Sequence, residues 1–146
     1  MGYRPDRRGI STDSDIDLKR TYHIETFGCQ MNKNDSELMA LSLSDHGFQS
    51  APGGAAADIT IYNTCSVREH AENRVLSRIR SHRNRLRDRD GIIVVAGCMA
   101  QRLGRELIDT GVADMVIGPY QSPDIGRLLR LHLEDRAARS FLSQDI

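Results

Sequence analysis

Residues 91–98 read Gly91-Ile92-Ile93-Val94-Val95-Ala96-Gly97-Cys98, with five consecutive apolar side chains between two glycines. Such a run favours a central strand of a parallel sheet, because helices cover both faces of such a strand. On either side of it, short apolar runs alternate with longer amphipathic ones, which is typical of βα units. Further strands are predicted at Tyr22–Phe27, Phe48–Ser50, Asp58–Asn63 and Met115–Ile117. The sequence therefore predicts an α/β fold with a mostly parallel five-stranded sheet flanked by helices, in three layers.

Helices are predicted between these strands. Asn34 and Glu37 have the spacing of a capping box, which predicts a first helix over residues 35–46. Ser122-Pro123 predicts the start of the last helix, with serine as the cap and proline in the first turn. Two further helices are predicted from the spacing of apolar residues, at Val67, Ala71, Val75, Ile79 and Leu86, and at Leu103, Leu107 and Ile108 before Gly111.

Composition limits the class of protein. The 146 residues carry 20 basic and 20 acidic side chains, so the formal net charge is zero, and this length fits one domain. No apolar run approaches the roughly 20 residues of a membrane span, and residues 1–20 lack the apolar stretch of a secretory signal. We therefore expect a cytoplasmic protein with no membrane partner. We predict a flexible arm over residues 1–20, a folded domain over 21–134 and a tail over 135–146.

Two familiar kinds of site are missing from the sequence. There is neither a glycine-rich dinucleotide fingerprint after a strand nor a phosphate-binding loop that ends in Gly-Lys-Ser or Gly-Lys-Thr. Cysteine phosphatases place an arginine six residues after the catalytic thiol, but here the residues at that distance are Asp35, Ala71 and Gly104. Nucleotide binding and phosphatase chemistry therefore have no support in the sequence.

The three cysteines carry most of the functional information. Cys29, Cys65 and Cys98 each lie within about two residues of the end of a predicted strand, and the carboxyl ends of parallel strands face one crevice. Each cysteine also precedes a helix or a turn that leads into one, where the positive end of the helix dipole favours an anion. An odd number of cysteines in a reducing compartment argues against a disulfide framework. A shared metal or cofactor site is therefore favoured.

Three interpretations of the cysteines remain open at this point. They could be buried thiols in the core, since free cysteine is among the most buried residue types. They could bind zinc as a Cys3His set with His70 or His23, although structural zinc sites usually take their ligands in close pairs. They could hold an iron–sulfur cluster, in which case three thiolates would leave one iron open to an exogenous group.

The residues around the cysteines resemble a known family. Three segments, in order, are similar to the three motifs of the N-terminal domain of radical-SAM methylthiotransferases, and the resemblance covers about residues 21 to 134. The segments are Thr26-Phe27-Gly28-Cys29-Gln30-Met31-Asn32 with Asp35-Ser36-Glu37, Asn63-Thr64-Cys65-Ser66-Val67-Arg68-Glu69, and Gly97-Cys98-Met99-Ala100-Gln101. Their flanks look like the branch that methylthiolates isopentenyladenosine beside the anticodon of tRNA.

The resemblance implies a flavodoxin-like, Rossmann-like fold and an auxiliary 4Fe-4S cluster held by Cys29, Cys65 and Cys98. The family's second 4Fe-4S cluster cleaves S-adenosylmethionine and is bound by Cys-x-x-x-Cys-x-x-Cys in a barrel domain, and this sequence lacks that motif. We therefore expect a chain that is inactive alone and lacks the radical-SAM barrel and the C-terminal RNA-binding domain. The expected partners are that barrel, in cis or in trans, and a tRNA anticodon stem-loop. We expect a monomer.

The alternative to this function is a stand-alone, non-catalytic metal-binding or scaffold module. Other residues have predicted supporting roles in either case. Gly28 and Gly97 could let the backbone approach a cluster, or they could be ordinary turn residues at strand ends. Asn32, Asn63 and Gln101 could donate hydrogen bonds to cluster sulfurs, with local backbone capping as the alternative for the two asparagines. Between Arg68 and Asp90, eight arginines face four carboxylates, a composition that also fits the solvated face of an amphipathic helix. We predict that any tRNA contacts of Arg78, Arg83 and Arg87 are made to phosphates.

Overall fold

The computed structural model describes residues 20–28, 30–51, 57–65, 69–86 and 91–143, and the side chains of residues 69–71 are not among the described ones. The strands within these residues are β1 (Thr21–Thr26), β2 (Gln49–Ser50), β3 (Ile59–Thr64), β4 (Ile92–Gly97), β5 (Met115–Ile117) and β6 (Ser140–Phe141). The α-helices are α1 (Gln30–Asp45), α2 (Glu69–Arg85), α3 (Cys98–Asp109) and α4 (Ile125–Glu134). Residues 1–19 of the predicted arm over 1–20 lie outside the described residues, as do Cys29, Val67 and Arg87.

The six strands form one parallel sheet in the order β2-β1-β3-β4-β5-β6. The order of the first five strands is the flavodoxin-like one, in which the chain reverses its direction of travel across the sheet between β1 and β3. The α/β fold and the parallel sheet are therefore confirmed. The sixth strand, Ser140–Phe141, was not predicted. It lies within residues 135–146, for which a tail was predicted, and it pairs with β5.

Helices cover both faces of the sheet. On one face, α1 and α4 bury Met39, Leu43 and Leu129 against alternate residues of the central strands. On the other face, α2 and α3 bury Ile79 and Met99 against the remaining residues. All six residues of β4 are buried, as expected for the central strand that the apolar run predicts.

Two predicted helix starts are wrong. Helix α1 begins at Gln30 and not at residue 35, and the backbone turns at Gly28, where φ is 108°. Asn34 consequently lies inside the helix, where its side-chain oxygen accepts a bond from Gln30. The hydroxyl of Ser122 donates to the carbonyl of Gly118 and does not cap a helix, and a 3₁₀ turn over Ser122–Asp124 precedes α4.

No helix within the described residues is both long enough and apolar enough to cross a membrane.

Two histidines, the buried His132 and the half-buried His82, give the fold a testable response to acid. The Tyr62 hydroxyl lies 2.7 Å from Nδ1 of His82, and burial raises the pKa of Tyr62 to about 12, so this hydroxyl stays protonated. Burial lowers the pKa of His82, as do the neighbouring Arg85 and Arg83, and burial lowers the pKa of His132. Both side chains are therefore held neutral in the folded chain.

We expect the free energy of unfolding to fall as the pH drops below about 6.5, the ordinary pKa of histidine, because the unfolded chain takes up protons before the folded one does. Urea denaturation of the chain at a series of pH values measures this loss. His82→Gln retains an acceptor for Tyr62 but does not titrate, so this variant should lose less stability on acidification than the parent. Equal losses in the parent, in His82→Gln and in His132→Gln would contradict the prediction.

Candidate metal centre

The loops that carry the cysteines leave the same edge of the sheet side by side. Cys65 directly follows β3, and Cys98 is the first residue of α3, directly after β4. These two strands are paired to their last residues, with Thr64 opposite Gly97. Cys29 lies outside the described residues, but Gly28 before it and Gln30 after it join β1 to α1 at this edge. The predicted convergence of the cysteine-bearing loops therefore follows from the observed strand order.

Gly28 and Gly97 let neighbouring loops approach closely. A methyl group on Gly28 would lie 2.7 Å from the Cβ atom of Cys65, and one on Gly97 would overlap the backbone oxygen of Thr64. Both glycines also have positive φ values, 108° and 98°, which side chains disfavour. Close contact between the protein's own loops therefore requires glycine at these two positions. The idea that these glycines also let the backbone approach a cluster stays a prediction.

A buried pair of asparagines fastens these loops together. Nδ2 of Asn32 donates to the carbonyl oxygen of Thr64 over 3.0 Å. Nδ2 of Asn63 donates to the carbonyl oxygen of Asn32 over 2.8 Å and to the Ser36 hydroxyl over 2.9 Å. The prediction that Asn63 donates to a cluster sulfur is wrong, because both of its side-chain N–H groups are used inside the protein. These two bonds join residues about 30 positions apart in the chain.

Ser36 has a structural role that the sequence analysis missed. Its hydroxyl accepts from Asn63 and lies 2.7 Å from the hydroxyl of Thr26 at the end of β1. The hydroxyl of Thr64 similarly donates to the carbonyl oxygen of Ala96 over 2.6 Å. The only signal for these roles in the sequence was the position of the hydroxyl residues within the cysteine motifs. Together they tie the carboxyl ends of β1, β3 and β4 to one another.

Gln101 is paired with the chain beyond β6. Its Nε2 donates to the carbonyl oxygen of Ser143 over 2.7 Å, and its Oε1 accepts from the backbone N–H of the same residue over 3.0 Å. This two-way bond anchors the last described residue to α3, one turn after Cys98. The structure thus shows Gln101 in a bond to backbone, and its predicted donation to a cluster sulfur has no support here.

The exposure of the thiols separates the remaining interpretations. Cys98 is exposed and Cys65 is half-buried, so the buried-thiol hypothesis does not describe Cys98. His23 lies opposite Thr60 in the sheet, roughly 16 Å along the strand direction from Cys65, so it is not a fourth zinc ligand at this edge. The side chain of His70 lies outside the described residues. No group of three metal-binding side chains occurs within the described ranges, and these do not include Cys29.

The local electrostatics favour negative charge at this edge. Helix α3 begins at Cys98 with Gly97 as its N-cap, so no capping side chain occupies the N–H groups of its first turn. Helix α1 begins at Gln30, at the same edge. Both helices therefore direct the positive ends of their dipoles toward the cysteine-bearing loops. Such an environment suits thiolates and the sulfide of a cluster.

Two of the arginines predicted to attract phosphate have partners inside the protein. Arg78 forms a two-point ion pair with the carboxylate of Glu25, with its Nε 2.8 Å from Oε2. Arg83 bonds to Asp114, with 2.6 Å between Nη2 and Oδ2. Arg87 lies outside the described residues. The carboxylates neutralise the charges of Arg78 and Arg83, so these two arginines are poor candidates for phosphate contacts.

Comparison with known proteins identifies the class. Residues 21–118 match a family model described as "Uncharacterized protein family UPF0004", and the chain belongs to this family. The chain is similar to the tRNA-2-methylthio-N(6)-dimethylallyladenosine synthase of Azobacteroides pseudotrichonymphae genomovar. CFP2, with 39% identity over 121 residues. The alignment covers 82% of this chain and 26% of the relative, so the chain spans about a quarter of the length of that enzyme. The resemblance to the N-terminal domain of methylthiotransferases is thereby confirmed.

Proposed function

We propose that this chain is the auxiliary-cluster domain of a tRNA methylthiotransferase that adds a methylthio group to isopentenyladenosine beside the anticodon. Cys29, Cys65 and Cys98 would hold a 4Fe-4S cluster at the carboxyl edge of the sheet. The observation that carries the proposal is the convergence of the cysteine-bearing loops at this edge, where Gly28 lies against Cys65 and β3 pairs with β4 up to Gly97, the residue before Cys98.

The residues present fit such a cluster. Thiolates are the usual protein ligands of iron–sulfur clusters, and three of them leave one iron open to an exogenous group. The exposed Cys98 and the half-buried Cys65 are accessible to a ligand, and the positive ends of α1 and α3 offset its negative charge. When bound, the cluster would supply the sulfur or methylthio group that is delivered to the substrate.

The protein's own residues would position the cluster rather than act as acids or bases. Asn32, Asn63 and Ser36 hold the loops after β1 and β3 in contact, so two cysteine-bearing segments are fixed relative to each other. Gln101 anchors the first turn of α3, which begins at Cys98. These bonds would fix the segments that carry the thiolates, as a cluster of fixed dimensions requires.

The rest of the reaction would depend on partners. S-adenosylmethionine and a second 4Fe-4S cluster would be bound by a radical-SAM domain, in cis or in trans, and the substrate would be a tRNA anticodon stem-loop. The 146-residue chain alone would be an inactive, cytoplasmic monomer. A stand-alone metal-binding or scaffold module is the alternative, and an adjacent reading frame that encodes Cys-x-x-x-Cys-x-x-Cys would favour the enzyme over it.

Anaerobic reconstitution with iron and sulfide tests the proposal. We expect about four irons per chain and the spectrum of one 4Fe-4S cluster, because three thiolates can hold three of its irons. Added sulfide or methylthiolate should perturb the Mössbauer signal of one iron more than the others. The reconstituted chain should not cleave S-adenosylmethionine. A folded chain that binds no iron and retains stoichiometric zinc would contradict the proposal.

A further inference from the structure

Helix α2 presents an outward face of unusual composition. From Asn73 to Leu86 the chain contains five arginines and no carboxylate, although the whole protein has equal numbers of basic and acidic residues. A solvated helix face normally mixes both signs of charge, because pairs at i,i+4 stabilise the helix and like charges do not. Arginines without carboxylates on the same stretch of helix therefore favour anionic partners outside the helix.

The structure divides these arginines into two groups. Arg78 and Arg83 have carboxylate partners on β1 and before β5, as described above. Arg74, Arg80 and Arg85 are exposed, and within the described residues none of the three forms an ion pair. The uncompensated charge of the helix is therefore concentrated in Arg74, Arg80 and Arg85.

Small polar side chains lie between these three arginines. Asn73, Ser77, Ser81 and Asn84 are exposed and follow one another at intervals of three or four residues, so they share the outward face of α2 with Arg80. All of these side chains can donate hydrogen bonds. A surface of guanidinium, hydroxyl and amide groups suits a partner with phosphate and hydroxyl oxygens.

The apolar side of the same helix is already used. Val75 and Ile79 are buried in the core against the sheet, so the helix has no apolar face to insert into a lipid surface. The outward face also carries no aromatic side chain for stacking on bases. The face therefore offers charged and hydrogen-bonding contacts, as to a phosphate backbone, and none to lipid tails or base faces.

The position of α2 relates this face to the cysteines. The helix begins at Glu69, four residues after Cys65, and runs away from the cysteine edge of the sheet. Along the helix axis, Arg74 lies about 8 Å from Glu69 and Arg85 lies about 24 Å from it. A strand of nucleic acid along this face would thus have one end directed toward the candidate metal centre.

We infer that Arg74, Arg80 and Arg85 bind phosphates of an RNA backbone, on a surface that Asn73, Ser77, Ser81 and Asn84 complete. The inference rests on the proposed function for the choice of RNA as the nucleic acid. The contacts are independent of base sequence. They hold the RNA against α2, while bases are recognised elsewhere.

The test measures how binding depends on salt. A fluorescein-labelled, unmodified RNA hairpin is titrated with the chain, and anisotropy is followed between about 50 and about 200 mM KCl. Three phosphate contacts predict a slope of log K against log salt of roughly −2 to −3. The variant Arg74→Gln/Arg80→Gln/Arg85→Gln should lose most of this slope and at least about tenfold in affinity at low salt.

A control variant with the same change of charge is Arg127→Gln/Arg136→Gln/Arg139→Gln. These three arginines are exposed on α4 and the segment after it, and α4 packs on the other face of the sheet. We expect this control to retain most of the affinity and the slope. The single variant Arg80→Gln should reduce the slope by about one, and it provides the test if the triple variant does not fold.

Equal slopes in the parent and the triple variant would overturn the inference, as would an absence of RNA binding by the parent at low salt. Competition by polyglutamate as strong as that by unlabelled RNA would overturn it in favour of an acidic protein partner. The proposed function is tested separately by iron content. If the chain binds RNA through α2 but assembles no cluster, the inferred surface stands and the proposed function is rejected. If it assembles a cluster but does not bind RNA through α2, only the inferred surface is rejected.

Discussion

Substitution of alanine for Gly97 is expected to lower the free energy of unfolding by at least about 3 kcal/mol, one of the two largest effects of a single substitution that we predict. Gly97 has φ 98° and ψ −161°, a backbone conformation that is essentially restricted to glycine. The added methyl group would also overlap the carbonyl oxygen of Thr64 on the neighbouring strand. Urea denaturation followed by circular dichroism measures the change.

Gly111→Ala is the matched control for this substitution. Gly111 also has a positive φ, 77°, but a methyl group there would meet no atom within 4 Å. This variant should therefore lose only about 1 kcal/mol, the cost of the backbone conformation alone. Similar losses in the two variants would show that the contact between β4 and the end of β3 does not restrict Gly97.

The second large effect concerns cluster assembly. Cys29→Ser, Cys65→Ser and Cys98→Ser should each reduce the iron content after reconstitution from about four per chain to below about one, because two thiolates leave a 4Fe-4S cluster underligated. Serine has nearly the size of cysteine, so the fold should be retained. Iron analysis and visible absorption measure the loss.

Exposure distinguishes a ligand role from a packing role for Cys98. Since its side chain is exposed, Cys98→Ser should leave the denaturation midpoint of the iron-free chain nearly unchanged while it removes the iron. Gly111→Ala serves as a control, since Gly111 lies beyond the end of α3 that is opposite to Cys98, and this variant should load iron fully. Full iron loading of all three cysteine variants would reject the assigned ligands.

The sequence predicted the parts of the fold that depend on continuous or periodic apolar patterns. The run of apolar residues before Gly97 became the fully buried strand β4, and Val75 and Ile79 became the buried side of α2. Strand β6 was not predictable in this way. It has only two residues, one of them exposed, and it is held by backbone bonds to β5 at the edge of the sheet.

The candidate site was predictable to a similar, partial degree. The position of each cysteine at the end of a predicted strand indicated that the cysteine-bearing loops meet, because the carboxyl ends of parallel strands share an edge. The asparagine pair was not predictable, because Asn32 and Asn63 are 31 residues apart and no pattern in the sequence indicates that the two residues bond. Likewise, the ion pairs of Arg78 and Arg83 depend on Glu25 and Asp114, which are distant in the chain.

The bonds between Asn32, Asn63 and Ser36 have a consequence for the metal-free protein. They hold the loop after β1 against the end of β3 without any metal, so much of the conformational entropy of this site is lost when the chain folds. In small zinc domains, by contrast, metal binding itself drives folding. Here the bonds of Asn32, Asn63 and Ser36 use no cysteine side chain, so loss of a cluster would leave them intact. Repair of a damaged cofactor would then require only new iron and sulfide, not refolding.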